Sequence, residues 1–325
     1  MERKPHLRIV VTAECNFNCK YCKEGGEGVY SKVEMSLDEL IRVARISYEV
    51  GFRHVKITGG EPLLRQKIKG DIFELILQLK KIGYTNVQMV TNGYYLSEYC
   101  ETLVGSGLDS LTVSLDTVKK EKYNDIVGND SFERVIEGIK LLAKKIPIRI
   151  NTVVYNKNQE DIIELIGFAQ EIGIGIKLLD YVQFDDGYSK KECEYVDFDF
   201  LYEKLTEEGY EYCYVGAPGG LGTPMRKYSL DNGAFLLVKD ARVATNYNLS
   251  VCKECEFFPC QDAMISLRIT ANGKLKRCLI RDDNLVDVYE DLKSMNYASV
   301  KEKIARMYDL LCNSEYFENK WRINE

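Results

Sequence analysis

The sequence predicts an α/β chain: a partial, TIM-like (βα)6 barrel followed by a smaller α+β domain. Three observations predict it. Short β-branched runs alternate with longer helical patterns from residue 7 to about 182. The helical segments are long enough for crossovers, which makes successive strands parallel in right-handed βαβ units. Beyond about residue 185 the alternation breaks, and a glycine-rich stretch, GAPGGLG (216–222), leads into short strand-like runs. Six units fit an incomplete barrel whose active loops sit at the carboxyl ends of the strands.

The elements follow in order. LRIVVT (7–12) reads as a strand and SLDELIRVARISYEVG (36–51) as a helix, opened by Ser36 and closed by Gly51. HVKIT (54–58) precedes a helix within 70–82, VQMVT (87–91) precedes 95–105, and SLTVSL (110–115) precedes 131–144. IRINTVV (148–154) precedes 159–171, and IKLLD (176–180) is the sixth strand. AFLLVKD, SLRIT and KLKRCLI then read as short strands before a charged helical tail, 285–312. With a boundary placed near 185–198, the expected parts are a barrel over 1–190 and a second domain over 191–325. No repeat of 20–50 residues and no low-complexity segment stands out beyond the βα units.

Composition bounds the function. The 325 residues carry 44 Lys+Arg against 50 Asp+Glu, and 45% are hydrophobic, which is ordinary globular usage. A net charge of −6 supplies no general surface for a nucleic-acid duplex. No run of about 18 apolar residues could span a membrane. The start, MERKPHLRIVV, lacks a signal-peptide core. The expectation is a cytoplasmic protein.

Eleven cysteines and two histidines, His6 and His54, turn the question to thiolate chemistry. In a reducing compartment, clustered cysteines bind metal or react more often than they form disulfides. Cys15-x3-Cys19-x2-Cys22 follows the first strand. Three thiolates on a short loop can hold three irons of a [4Fe–4S] cube and leave the fourth open to a small molecule. The alternative is a zinc knuckle, which normally needs four ligands. Cys252, Cys255, Cys260 and Cys278 form a second group; Cys100, Cys193, Cys213 and Cys312 are scattered.

ECNFNCKYC (14–22) and ITGGEPLLR (57–65) resemble the cluster loop and the glycine-rich cofactor segment of the radical S-adenosylmethionine (SAM) enzymes. The resemblance implies a [4Fe–4S] cluster on Cys15, Cys19 and Cys22 whose open iron binds SAM through its amino and carboxylate groups. One-electron reduction then cleaves SAM to methionine and a 5′-deoxyadenosyl radical, which abstracts hydrogen from a substrate. It also implies a flavodoxin- or ferredoxin-type reductant. Thr58, Gly59, Gly60 and Glu61 become cofactor contacts, with glycines allowing close backbone approach and Glu61 accepting from an ammonium group. Further strand ends match: Thr91 and Asn92, Ser114, Arg149 and Asn151, and Val182. By the same resemblance these touch the SAM ribose, carboxylate and adenine, with Tyr21 beside the adenine.

Within the superfamily the resemblance is to the molybdenum-cofactor GTP 3′,8-cyclases with a C-terminal (twitch/SPASM-type) auxiliary-cluster domain. HLRIVVTAECNFNCKYC, VKITGGEPLLR, the segments over 111–139 and 148–180, and ISLRITANGKLKRCLI carry it. It implies a second [4Fe–4S] cluster on Cys252, Cys255 and Cys278. The departures lie on the substrate side. An insertion, EFFPCQDAM, separates Cys255 from Cys278 and adds Cys260, which either closes this cluster as a fourth ligand or is a free thiol. Ile265 and Ser266 replace an Asn and an Arg, leaving Arg268. Lys177 and Lys56 stand where the cyclases carry arginine, and Arg and Lys are not interchangeable in bidentate phosphate recognition. The chain ends WRINE rather than Gly-Gly.

These departures favour a radical SAM enzyme acting on a peptide, by elimination, through cross-linking or epimerisation. Cys213 is then a candidate hydrogen-atom donor, and Lys177 and Arg268 are candidate substrate contacts. The alternative is a small-molecule substrate through GTP 3′,8-cyclase-type rearrangement. A non-enzymatic iron–sulfur carrier is the third reading, and TGGEP argues against it, because a carrier needs no SAM pocket. The stretch 178–200 reads as a solvated linker or as an acidic face for a cationic peptide.

Overall fold

A computed structural model describes residues 5–23, 25–182, 192–215, 225–242, 244–247, 252–256, 266–313 and 315–318. Strands β1 (His6–Val10), β2 (His54–Thr58), β3 (Asn86–Thr91), β4 (Ser110–Ser114), β5 (Ile148–Val154) and β6 (Gly175–Asp180) pair in parallel in chain order. The six runs legible in the sequence are these strands, within the usual end-fraying of such assignments. The helices between them are α1 (Leu37–Val50), α2 (Pro62–Lys69), α3 (Ile72–Ile82), α4 (Leu96–Gly105), α5 (Lys120–Val127), α6 (Phe132–Leu142) and α7 (Ile162–Ile172).

Local chemistry explains the ends of α1. The Ser36 hydroxyl accepts from the Glu39 amide at 3.3 Å, and the Glu39 carboxylate accepts from the Ser36 amide at 2.7 Å. That reciprocal pair satisfies two helix-start donors. Gly51 ends the helix at φ 138°, a region closed to most side chains. Helices α2 and α5 are absent from the sequence reading. In α2, Glu61 is the N-cap and Pro62 the first helical residue, where a missing amide hydrogen costs nothing.

Residues beyond 190 extend the same sheet at both edges. After α8 (Asp199–Glu207) come β7 (Tyr212–Val215), β8 (Met225–Ser229) and β9 (Phe235–Lys239); β9 runs parallel to β6, with β8 and β7 antiparallel beyond it. β10 (Ala244–Tyr247) pairs apart from this sheet with the last described strand. At the opposite edge, β11 (Ser266–Ile269) runs parallel to β1 and is followed outward by β12 (Lys274–Lys276) and β13 (Val286–Asp287). The tail forms α9 (Tyr289–Lys293), α10 (Tyr297–Cys312) and β14 (Glu315–Glu318). Helix α10 packs on α1, where the Tyr308 ring meets Phe52 edge-on at 4.9 Å.

The strands have two different faces, as their two-residue period requires. Leu7, Ile9, Val55, Ile57, Val87, Met89, Ile150, Ile176, Leu178 and Leu236 are buried in the core that the helices cover. Several alternate positions are charged or polar, Arg8, Lys56, Arg149, Asn151 and Lys177 among them. The sheet is curved enough for distant strands to face one another, since Lys177 on β6 feels the charges of Arg8 on β1 and Lys56 on β2. The interior is therefore a polar cavity wall. Among the described residues, no helix is long and apolar enough to cross a membrane.

Candidate active site

The cysteine loop leaves the carboxyl end of β1 and is pinned by α5. The Asn18 and Lys20 amides donate to the carbonyls of Val127 and Ile126 at 2.9 and 3.0 Å, and Asn129 donates to the Asn16 carbonyl at 3.3 Å. Helix α5 thus holds the loop that bears the cysteines. Cys15 and Cys22 are exposed and Cys19 is half-buried. The Cys15 sulfur accepts from the Phe17 amide at 3.4 Å and from Asn92 Nδ2 at 3.7 Å. Desolvation pushes the Cys15 thiol up to about 12 and Cys19 well above its usual range; Glu61 and Cys22 raise Cys15 further, and Cys22, Asp116 and Cys15 raise Cys19. Thiolates so placed need a cation to hold their charge.

The TGGE segment packs directly on this loop. A Cβ on Gly60 would lie 2.1 Å from the Glu14 carbonyl oxygen, and one on Gly59 would lie 2.7 Å from that of Thr12. The Gly60 amide donates to Thr12 and the Glu61 amide to Glu14, both at 2.8 Å. The two glycines are required by backbone meeting backbone. Glu61 is fully buried, and its carboxylate accepts from the Leu63 amide at 2.8 Å, the Thr91 hydroxyl at 2.7 Å and the Asn92 amide at 2.6 Å. Burial raises its carboxyl to about 7. Here Glu61 fastens the end of β2 to the end of β3, and none of its surface is open to solvent.

Tyr21, between two of the cysteines, hydrogen-bonds to Asp116 at the end of β4 and packs on Tyr155, with ring centroids 5.9 Å apart. Asp116 also accepts from the Val153 amide at 3.1 Å. Thr58 and Ser114 stand at the carboxyl ends of β2 and β4, Asn151 lies mid-strand on β5 in register with Ser114, and Val182 follows β6. The buried Thr58 hydroxyl, Asn151 Oδ1, Arg149 Nε and Tyr155 hydroxyl have no hydrogen-bond partner among the described residues. Unmet buried polar atoms cost about 1–3 kcal/mol each, so these, at the mouth and on the wall just below it, suit a place completed by a polar ligand. With three thiols on one loop, this donor set suits a metal–sulfur cluster and a polar organic cofactor. Among the described residues no three Cys, His, Asp or Glu side chains converge on one ion-sized point. A cube of irons does not ask that of its ligands.

Below the mouth, Arg8, Lys56, Arg149 and Lys177 face a common space with Lys239 of β9 and the buried Arg268 of β11. Burial and the neighbouring cations push Lys56 and Lys177 well below the usual lysine range, and burial with Arg8 lowers Arg149 to about 10. An acid that enters this space is Glu27, paired with Arg8 and 3.4 Å from Arg268. Sequence reading had Lys177, Arg149, Arg268 and Lys56 singly and missed Arg8, Lys239 and Glu27. The period-two alternation on β1 would have found Arg8.

Cys252 and Cys278 are buried and Cys255 is half-buried. Arg277 lies close enough to Cys252 and Cys278 to feel both, and Arg281 hydrogen-bonds to Cys255. Cys260 and Ile265 lie outside the described residues, as do 216–222 and much of 178–200. Cys213 is exposed on β7, the outermost strand of the sheet, and is not among the residues brought to the mouth.

One acid near the mouth gives a stability prediction. Asp180, ending β6, accepts from the Ala241 amide at 3.0 Å, and burial raises its carboxyl from 3.8 to about 7. Between these values the native chain holds a proton that the unfolded chain has released. This group therefore makes stability fall with rising pH from about 4 to 7, by up to about 1.4 kcal/mol per pH unit, with no further loss above that window. Asp180→Asn should flatten the dependence of Tm on pH between 4.5 and 7; an unchanged slope would refute the assignment.

Known proteins share this architecture. The family model described as "Radical SAM superfamily" matches residues 9–169. A probable GTP 3′,8-cyclase of Saccharolobus islandicus (strain M.14.25 / Kamchatka #1) is 30% identical over 312 residues, covering 92% of this chain and 90% of its own. Another, from Sulfolobus acidocaldarius, is 34% identical over 306 residues, covering 92% and 89%. Among solved structures, Streptococcus suis SuiB bound to S-adenosylmethionine superposes with a TM-score of 0.64 at 19% identity, over 91% of this chain and 66% of that one. Native anSMEcpe with bound AdoMet gives 0.58 at 16% identity, over 95% and 84%. The structural likenesses speak for the fold, and the relatives of matching length carry the same reading through both ends of the sheet: the chain belongs to the radical SAM superfamily, whose enzymes work with a [4Fe–4S] cluster and S-adenosylmethionine.

Proposed function

We propose that this enzyme directs its radical at a polyanionic substrate, and that a nucleoside triphosphate, converted by GTP 3′,8-cyclase-type rearrangement, fits the interior best. The observation that carries the reading is the charge of that interior. Arg8, Lys56, Arg149, Lys177, Lys239 and Arg268 approach one another in a low-dielectric space, and among the described residues Lys56 and Lys177 have no acidic partner within bonding distance. Cations gathered at such a cost are offset when a multiply charged anion lies among them. Elimination from sequence alone favours a peptide; the interior favours the nucleotide. The relatives named as probable GTP 3′,8-cyclases point the same way. Lysines at 56 and 177 keep the charge and lose only bidentate geometry. A peptide stays in play if it presents acidic side chains to the same cations.

Cys15, Cys19 and Cys22 would hold the SAM cluster, with SAM against Thr58, Gly59, Gly60, Thr91, Asn92, Ser114, Asn151, Val182 and Tyr21. The bound cluster and SAM together supply a carbon radical able to take hydrogen from an unactivated C–H bond. The chain's own work is to orient the pair: Glu61 ties two of the contact loops together, and Asp116 fixes Tyr21. Cys252, Cys255 and Cys278, with or without Cys260, are our candidates for a second cluster in the C-terminal part, 191–325. A flavodoxin- or ferredoxin-type donor completes the system.

The test is anaerobic. Reconstituted, reduced enzyme with SAM is assayed for 5′-deoxyadenosine with and without GTP, and the mixture is searched by mass spectrometry for a cyclised nucleotide. A GTP-dependent rise with that product is expected. Slow cleavage that GTP, other nucleoside triphosphates and tripolyphosphate leave unaltered would overturn the polyanion reading.

A further inference from the structure

We infer that Glu27 is a built-in competitor for the anion position between Arg8 and Arg268, so that only a ligand of higher charge than a carboxylate gains that position. The inference deepens the polyanion reading above and rests on it. Glu27 lies in the segment that follows the cysteine loop, and its side chain turns inward to the cations. One carboxylate oxygen takes the Arg8 guanidinium. The other lies 3.4 Å from Arg268 Nε and, though buried, accepts no hydrogen bond from the described residues. Burial opposes its charge, yet Arg8, Arg268 and Lys56 hold its carboxyl below the usual range.

A buried ion pair with a structural task looks different in the same molecule. Arg65 grips both oxygens of Asp71, with Nε at 2.9 and 3.1 Å and Nη2 at 2.6 Å. Arg65 also donates to the carbonyls of Val11 at 2.5 Å and Met35 at 3.1 Å. Each guanidinium nitrogen there donates at least one hydrogen bond and both carboxylate oxygens accept, as a net-stabilising buried pair requires. Glu27 is only half matched, on a short glycine-rich segment, among cations that outnumber it. A triphosphate group offers more charge and more acceptor oxygens to the same guanidinium groups, whereas a monoanion offers no more than Glu27 already does.

Displacement would also be readable at the cofactor loop. Gly26, beside Glu27, has φ 60°, and a Cβ there would stand 2.4 Å from the Gly59 carbonyl oxygen. The segment is closed by bonds from the Gly26 amide to Lys23 and from the Gly28 amide to Gly25, at 3.2 and 3.1 Å. When Glu27 leaves the cations, these amides should lose protection.

The experiment uses the full-length reconstituted enzyme, kept anaerobic, with inorganic tripolyphosphate and orthophosphate as probes. Calorimetry on wild type and Glu27→Gln is paired with hydrogen exchange of residues 25–30 in wild type. The expected result is that wild type binds tripolyphosphate and discriminates against orthophosphate. Glu27→Gln should bind tripolyphosphate about tenfold tighter or more and discriminate less, since a closed fraction divides the apparent affinity. Exchange over 25–30 should quicken on adding tripolyphosphate. An electrostatic role without displacement would tighten binding in the variant but leave exchange unaltered or slower, and that overturns the inference. So does equal or weaker binding by a folded variant. Should the variant fail to fold, the wild-type exchange result decides alone. If wild type binds no tripolyphosphate, the polyanion reading falls first and takes this inference with it.

Discussion

Cys19→Ala is expected to reduce 5′-deoxyadenosine formation to background while leaving the chain folded. The middle cysteine of the loop is half-buried and packs against the core through its small side chain. Trading its sulfur for a methyl group removes a cluster ligand and little apolar area, so Tm of the metal-free chain should move by only a few degrees. Iron bound per chain and the visible absorbance of the cluster should both fall. Cys15→Ala and Cys22→Ala should behave alike. Cys312→Ala, on α10 far along the chain, is the control and should leave turnover unchanged. Wild-type turnover in any of the three loop variants would end the assignment of the cluster to this loop.

The second large effect is expected from a single methyl group. In Gly60→Ala the new Cβ falls 2.1 Å from the Glu14 carbonyl oxygen and 2.5 Å from its carbon. Both are backbone atoms, which cannot rotate away as a side chain could. The loop that carries Cys15 must then shift, and the 2.8 Å bonds from Gly60 to Thr12 and from Glu61 to Glu14 are lost or lengthened. A displacement of about 1 Å can cost about 100-fold in rate when reacting groups must stay aligned. The expected outcome is a chain that still takes up iron but cleaves SAM about 100-fold more slowly and binds it more weakly. Gly70→Ala is the matched control. Gly70 has φ 72° and open space around it, so its substitution adds only local strain of about 1–2 kcal/mol. If Gly60→Ala keeps both SAM affinity and rate, the close packing of the two loops is not what positions the cofactor.

Much of this was written locally. The six parallel strands, the capped helix after the first of them, and the cysteine loop with its TGGE partner could be read because each depends on neighbours in sequence: alternation, a Ser and a Glu three residues apart, ligands on one short loop. Helix α5 escaped because KEKYNDIV is mostly polar, and its end is set by Gly128 in the left-handed region at φ 64°. Its importance lies in carbonyl groups that meet the cysteine loop more than a hundred residues away, and no local pattern encodes that. Glu61 was legible as a functional position, but its contacts were not: its oxygens accept from Thr91, Asn92 and Leu63, and two of these partners lie on another strand's end.

The sequence by itself determined the chemistry class, because three thiols at fixed spacing and a Gly-Gly turn are one-dimensional facts. It also supplied every cation of the interior. What only the tertiary structure decided was their convergence. A two-residue period tells which face a side chain takes, but not how far the sheet curves, and curvature is what brings β6 opposite β1 and β2. The folding back of β9 and β11 onto opposite edges of one sheet then adds Lys239 and Arg268 to the same space. Charge density among those strands is a property of closure, and closure belongs to the packed sheet as a whole.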